Sequence, residues 1–265
     1  MKEGLVTWSD IQTYWECPRK WSYRAAGWVN IESQLEAPLL RGSLIHQAVE
    51  SYWQGDGIES GLAAGTRAAL ELAAKTRHEF GVLADEIAKL TKDAKSVAQR
   101  YVAKYGDRMV PLRSETLLAL GKCGGTPDLV AQVDGLGLVL IDLKTSSNNL
   151  HWNSLDHSGQ LDYYAYLWNQ PGAKPLDAVC YDAATPEYIT RVSRKPRPAQ
   201  GRYIYETGLG IQLLAGQQAH MNPHFRWTCG QCPYFKACKA FEHSGAEVEA
   251  EVLAAEYIKE EASNV

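Results

Sequence analysis

The chain has 265 residues, of which 45% are hydrophobic and 22% charged, the make-up of a globular protein of one or two domains. No stretch approaches the roughly 18 consecutive apolar residues of a membrane-spanning helix, and the start, Met1-Lys2-Glu3-Gly4, carries no signal-like apolar run, so a cytoplasmic protein with no membrane attachment is expected. The formal charge of −4 argues against a nucleic-acid partner only until it is located: seven glutamates and one lysine from Glu242 onward contribute −6 and leave +2 for everything before them.

Thr7-Trp8-Ser9-Asp10 offers N-cap residues, and Ile11, Tyr14 and Trp15 follow at helical spacing. Proline disfavours the α conformation in the residue before it, so Cys17-Pro18 predicts a break before a second short helix over Arg19–Arg24. Leu39 to Trp53 reads as an amphipathic helix with Ile45, Val49, Tyr52 and Trp53 on one face and His46 beside it. A histidine there is most simply a structural residue. Residues from about Gly61 to Lys104 are rich in helix formers and hold no proline, which predicts two helices broken near Gly81, a helical insertion spanning about 58–106. Strand signals start at Val110–Leu120. They return at Leu176–Tyr181 and Tyr188–Val192, and helical periodicity over Gly159–Trp168 places Gln160 and Tyr164 one turn apart on a common face. A helix from about Arg202 to Met221 follows, and residues 241–265 form an acidic tail, helical or frayed. The basic stretch Thr190–Arg202 has five positive charges and no acid, and reads either as a solvated loop or as a phosphate-contacting segment.

Between these lies the most informative stretch. Gly124–Val130 and Gly137–Ser147 are apolar runs separated by Asp134-Gly135, a strong hairpin signal. An antiparallel hairpin brings Asp128, near the start of one strand, opposite Asp142, near the end of the other. Lys144 points the same way as Asp142, because side chains on a strand alternate with period two. The arrangement is either an Asp–Lys ion pair on a solvated sheet edge or a site for a hard divalent cation, Mg²⁺ or Mn²⁺. In the second case the main-chain carbonyl of Leu143 is a further oxygen ligand.

Three of the six cysteines lie together as Cys229-x₂-Cys232-x₅-Cys238, a spacing that favours metal binding over disulfides in a cytosolic chain. Cys17 is the natural fourth ligand; Cys123 and Cys180 sit in or beside strands and read as core thiols. Four thiolates suit Zn²⁺ or an iron–sulfur cluster. One cysteine standing alone far upstream departs from paired zinc knuckles and favours a [4Fe–4S] cluster, which would join residues 7–27 to 225–240.

Together these residues resemble the RecB-like branch of the PD-(D/E)xK nucleases, in particular its iron–sulfur exonucleases, typified by the CRISPR-adaptation nuclease and by the nuclease domain of bacterial double-strand-break-processing helicase complexes. Pro127-Asp128 followed by Asp142-Leu143-Lys144 matches the core motif. Gly42-Ser43-Leu44-Ile45-His46 resembles the helix that supplies a histidine ligand, and Gln160-x₃-Tyr164 matches the Q-x₃-Y motif. Ser9 through Trp21 and the cysteine triplet resemble the two cluster-binding ends. The resemblance runs from about Trp8 to Cys238, and the helical stretch 61–104 matches none of its motifs.

It implies an α/β nuclease core, a mixed central sheet flanked by helices, over residues 1–240. It also implies a metal-dependent DNA exonuclease that prefers single strands or ends, works in recombination, repair or CRISPR adaptation, and has proteins of those pathways as partners. A structure-specific flap endonuclease and a non-catalytic iron–sulfur nucleic-acid-binding module are the other readings. In the favoured one His46, Asp128, Asp142 and the Leu143 carbonyl hold the cation, Lys144 completes the site, and Gln160 and Tyr164 contact water, phosphate or base. Glu115 is an outer or second-metal ligand or an exposed strand acid. Arg19, Lys20, Arg41, Arg194, Lys195 and Arg197 are the expected DNA contacts.

Overall fold

The computed structural model describes residues 4–29, 35–75, 80–146, 159–214, 229 and 232–259. They fall into two compact units: 34–118 with 126–202, and 1–33 with 119–125 and 203–265.

The terminal unit opens with α1 (Trp8–Glu16), which begins in a capping box: the Thr7 side chain accepts from the Asp10 backbone, and the Asp10 side chain accepts from the Thr7 N–H. Cys17 is extended (φ −162°, ψ 113°), as the following proline requires, and separates α1 from α2 (Pro18–Ala25). β1 (Trp28–Val29) follows.

The larger unit begins with α3 (Ala37–Gln54), α4 (Ile58–Ala73) and α5 (Phe80–Tyr105). The break expected near Gly81 is not there: α4 ends at Ala73, and Gly81 lies inside α5. A glycine costs an exposed helix only about 1 kcal/mol, and Ile87, Ala94, Val97, Ala98 and Tyr101 of the same helix are buried. Leu62, Ala69 and Ala73 of α4 join that cluster, together with Leu44, Ile45 and Ala48 of α3 and Leu129, Val139 and Ile141 of the sheet. α4 meets α3 through Gly61 and Gly65, where a Cβ would collide with the carbonyl and side chain of Gln47.

The sheet strands are β2 (Met109–Ser114), β5 (Leu129–Val133), β6 (Gly137–Thr145), β7 (Ala178–Ala184) and β8 (Ile189–Arg194), in spatial order β2-β5-β6-β7-β8. Between β2 and β5 in sequence, β3 (Leu118–Leu120) and β4 (Cys123–Gly125) form a separate two-stranded sheet. The single strand expected over Val110–Leu120 is thus divided. Glu115 adopts φ 46°, a conformation that no strand accommodates, and turns the chain out of the sheet.

β5 and β6 form the expected antiparallel hairpin, with Leu129 opposite Ile141 and Val133 opposite Gly137. β6 is buried along most of its length, as a central strand covered on both faces requires. It runs parallel to β7, and that pairing needs a crossover, supplied in part by α6 (Gln160–Trp168). β7 pairs antiparallel with β8. Beneath this pair Asp182, fully buried, accepts two hydrogen bonds from Arg191 and one of 2.7 Å from Tyr101.

α7 (Pro198–Leu213) starts earlier than the Arg202 expected; its expected extension through Met221 lies outside the described residues. The chain then returns to the terminal unit as α8 (Phe235–Ser244), α9 (Ala246–Glu256) and β9 (Ile258–Lys259), which pairs with β1. The tail is therefore ordered through Lys259. Glu249 takes hydrogen bonds from Arg19 and Tyr23, and Leu253 and Tyr257 pack with Tyr23, Tyr234 and Ala237.

Candidate active site

Register alone assembles the first pair of acids. Leu129 faces Ile141 at the end of the β5–β6 register, so Asp128, in the bend just before β5, lies at the level of Asp142. Asp128 accepts a hydrogen bond from the Leu143 amide and lies 3.1 Å from His46 Nδ1 on α3. The Leu143 carbonyl leaves β6 on the same edge as its N–H, toward Asp128. Lys144, two residues beyond Asp142, places Nζ 2.7 Å from Asp142 Oδ2 and donates to Gln160 Oε1 at 2.7 Å. Gln160 Nε2 in turn lies 2.9 Å from Asp142 Oδ1 and 3.2 Å from the Tyr164 hydroxyl, one helical turn along α6. Lys144 thus forms an ion pair with the buried Oδ2 of Asp142, while Gln160 serves Oδ1.

The electrostatics follow from burial and crowding. Asp142 is 4% exposed; burial raises its carboxyl to about 6 despite the nearby Lys144, and the charge on Asp128 adds to the rise. Burial also opposes ionisation of Asp128, but His46 and the Leu143 amide more than offset it and hold the carboxyl below its usual value. His46 responds in the opposite sense: burial would lower it, and Asp128 raises it to about 9. Burial works against the Lys144 ammonium too, and Asp142 keeps it raised.

Glu115 joins this group. It sits in the bend after β2, with its N–H donating to the Asp128 carbonyl at 3.2 Å, and burial followed by the proximity of Asp128 pushes its carboxyl up to about 8. His46, Glu115 and Asp128 offer ligand atoms within 4.8 Å of one another. They open on a pocket whose walls include Glu50 and Trp53. Glu50 is not among the residues expected at the site, and Trp53 is expected only on the apolar face of its helix; their spacing of four and seven from His46 on α3 puts all three on one helix face. A histidine nitrogen and two carboxylates converging on one pocket, with the buried carboxylate of Asp142 near them, fit a hard divalent cation.

The expected DNA contacts are differently placed. Arg19 is 6% exposed, ion-paired with Glu249 and stacked over Phe241 at 3.8 Å. Arg194 and Arg197 both bond the fully buried Asp162 of α6, and Lys195 donates to the Asp177 carbonyl. Lys20 pairs with Glu16 on the surface, and Arg41 is half-buried on α3.

In the terminal unit no cysteine forms a disulfide, and Cys123 is buried there, as Cys180 is in the larger unit. Cys17, Cys229, Cys232 and Cys238 are partly buried. Burial raises the Cys232 and Cys238 thiols, the latter to about 11, and the Cys17 sulfur adds to both rises. Among the described residues the group of three or more possible ligands within 4.8 Å is His46, Glu115 and Asp128, so these thiols are not drawn to that spacing.

The model of the PD-(D/E)XK nuclease superfamily matches residues 6–239. The crystal structure of SSO0001 aligns over 91% of this chain and 88% of its own, at 16% identity and a TM-score of 0.42. No curated protein matches the sequence. Among the described residues no helix is long and apolar enough to cross a membrane. The match takes in both the hairpin that carries Asp128, Asp142 and Lys144 and the helices that bring His46 and Gln160 to it: the chain belongs to the PD-(D/E)XK nuclease superfamily, and its substrate class is nucleic acid.

Proposed function

We propose that this protein is a Mg²⁺- or Mn²⁺-dependent DNA exonuclease acting on single strands or DNA ends, in recombination, repair or CRISPR adaptation. The observation that carries the reading is the unbroken line of contacts from His46 through Asp128 to the Leu143 amide, and from Asp142 through Lys144 and Gln160 to Tyr164. His46, Asp128, Asp142 and the Leu143 carbonyl would hold the cation, with Glu115 a further carboxylate beside them. The bound ion supplies Lewis acidity toward the scissile phosphate and acidifies an attacking water. Lys144, held between Asp142 and Gln160, presents a fixed ammonium to the negative charge that grows on the phosphate oxygens. Gln160 holds that ammonium in place and offers its amide to water or phosphate. Lys20 and Arg41 are retained as DNA contacts, whereas Arg19, Arg194 and Arg197 act first through Glu249 and Asp162 as structural ties.

Cys17, Cys229, Cys232 and Cys238 are assigned to a [4Fe–4S] cluster in preference to Zn²⁺. Support comes from the split arrangement of the ligands in the sequence, one cysteine far upstream of the other three. A tetrahedral zinc site with bonds of about 2.3 Å draws its sulfurs to under about 4 Å of one another, whereas a cubane holds them further apart.

One preparation tests both parts. Protein purified without oxygen should be brown and contain about four irons per chain. It should degrade 5′- or 3′-labelled single-stranded DNA progressively from an end with Mg²⁺ or Mn²⁺, and not with EDTA. Internal cuts at a duplex flap would favour the endonuclease reading, and a colourless, zinc-containing protein would remove the cluster.

A further inference from the structure

Arg113 and Trp168 lie outside every motif used above, yet both belong to the face that carries the catalytic side chains. β2 contains an irregularity between Pro111 and Arg113, after which Arg113 pairs with Val130 and, across β5, Val130 pairs with Leu140. Residues directly opposite one another in antiparallel strands share a face, and Leu140 shares its face with Asp142 and Lys144. The bulge therefore turns Arg113, instead of Leu112, onto the catalytic side of the sheet. On α6, Trp168 continues the row Gln160–Tyr164–Trp168 at four-residue intervals, about 12 Å along the helix from Gln160.

The two rows meet. The Arg113 guanidinium lies 5.0 Å from the centroid of the Trp168 ring, and Trp168 Nε1 donates to the Lys174 carbonyl at 2.9 Å, which fixes the ring plane. Arg113 is exposed at the edge strand and Trp168 half-buried beneath it. Among the described residues no carboxylate pairs with Arg113, in contrast to Arg191, Arg194 and Arg197, which are bound to Asp182 or Asp162. A guanidinium stacked by its face keeps its edge of N–H donors open, the geometry that grips a phosphate through two parallel hydrogen bonds.

We infer that Arg113, held over the ring of Trp168, is a phosphate-binding subsite for the nucleic-acid strand flanking the scissile bond. This rests on the nuclease reading of the neighbouring site. It gives the enzyme a grip on a strand that extends past the cleaved linkage and none on a substrate confined to that linkage.

The test compares wild type with Arg113→Ala, Arg113→Lys and Trp168→Ala. Substrates are a labelled single-stranded oligonucleotide and bis(p-nitrophenyl) phosphate, a diester too short to reach the subsite, with Mn²⁺ present. For the oligonucleotide, Arg113→Ala should raise KM about tenfold with kcat little changed, the loss of one charged hydrogen-bonding contact. Its slope of log affinity against log salt, measured with Ca²⁺ in place of Mn²⁺, should fall by about one phosphate contact. Hydrolysis of the small diester should be unchanged. Arg113→Lys should recover the salt slope but only part of the affinity, and Trp168→Ala should weaken oligonucleotide binding with its charge intact. An unchanged KM and salt slope in Arg113→Ala would overturn the inference. So would an equal loss on both substrates, which marks a structural role. Wild type that cleaves neither substrate would instead defeat the nuclease reading itself.

Discussion

At the residue scale, the two acids and the lysine of the β5–β6 hairpin were legible because a strand's period of two and an antiparallel register leave few choices. Once Asp134-Gly135 is read as the turn, Asp128 must meet Asp142, and Lys144 must share its side. The arginines were not legible in the same way. A run of basic residues from Thr190 to Arg202 resembles a phosphate-binding loop, but its charge is drawn inward by Asp162 and Asp182, acids that are distant or unremarkable in sequence. Asp182 is the sharper case, fully buried and answered by the two-pronged contact of Arg191. Replacing Arg191 by Met leaves that carboxylate without its counter-charge. The variant should lose about 3–5 kcal/mol of stability by urea unfolding. A loss below about 1 kcal/mol would mean that Tyr101 and local relaxation suffice.

At the element scale, helix periodicity located α3, α5 and α6 to within a few residues but ran α4 on toward Gly81, past its end at Ala73. What it could not supply was the close approach of α3 and α4, which depends on Gly61 and Gly65, two glycines spaced four apart that read locally as weak points of a helix. Gly61→Leu puts a branched side chain against the Gln47 backbone and should destabilise the protein by at least about 2 kcal/mol in thermal or chemical denaturation. A neutral effect would show that α4 can move away from α3 without cost. Glu115 reads from sequence as an outer or second-metal ligand or an exposed strand acid, but its setting was hidden for a related reason. The strand pattern runs smoothly through Val110–Leu120, and only the backbone reveals the left-handed turn that breaks it and leaves Glu115 beside Asp128. A non-glycine residue in that conformation persists where its surroundings hold it, here by the hydrogen bond its N–H donates to the Asp128 carbonyl and by the pocket around its side chain.

At the scale of the whole molecule, the fold class was readable through the resemblance carried by Pro127-Asp128, Asp142-Leu143-Lys144 and Gln160-x₃-Tyr164, whereas the apolar runs and the Asp-Gly turn by themselves gave a hairpin, further strands and helices with no order among the strands. The acidic tail was less so. Composition describes a solvated segment, whereas Glu249, Leu253 and Tyr257 face the partners that order it, contacts spanning over two hundred residues of sequence. The central claim remains the division of labour at the hairpin: carboxylates and His46 bind the metal, and Lys144 serves the transition state. Lys144→Ala tests it most directly, assayed for Mn²⁺ affinity by calorimetry, for affinity toward single-stranded DNA with Ca²⁺, and for cleavage with Mn²⁺. The account predicts that metal and DNA affinities stay within about threefold of wild type while cleavage falls by at least about a hundredfold, the size of effect seen when a fixed electrostatic donor is removed from a reaction centre. Cleavage at near the wild-type rate in that variant would contradict it.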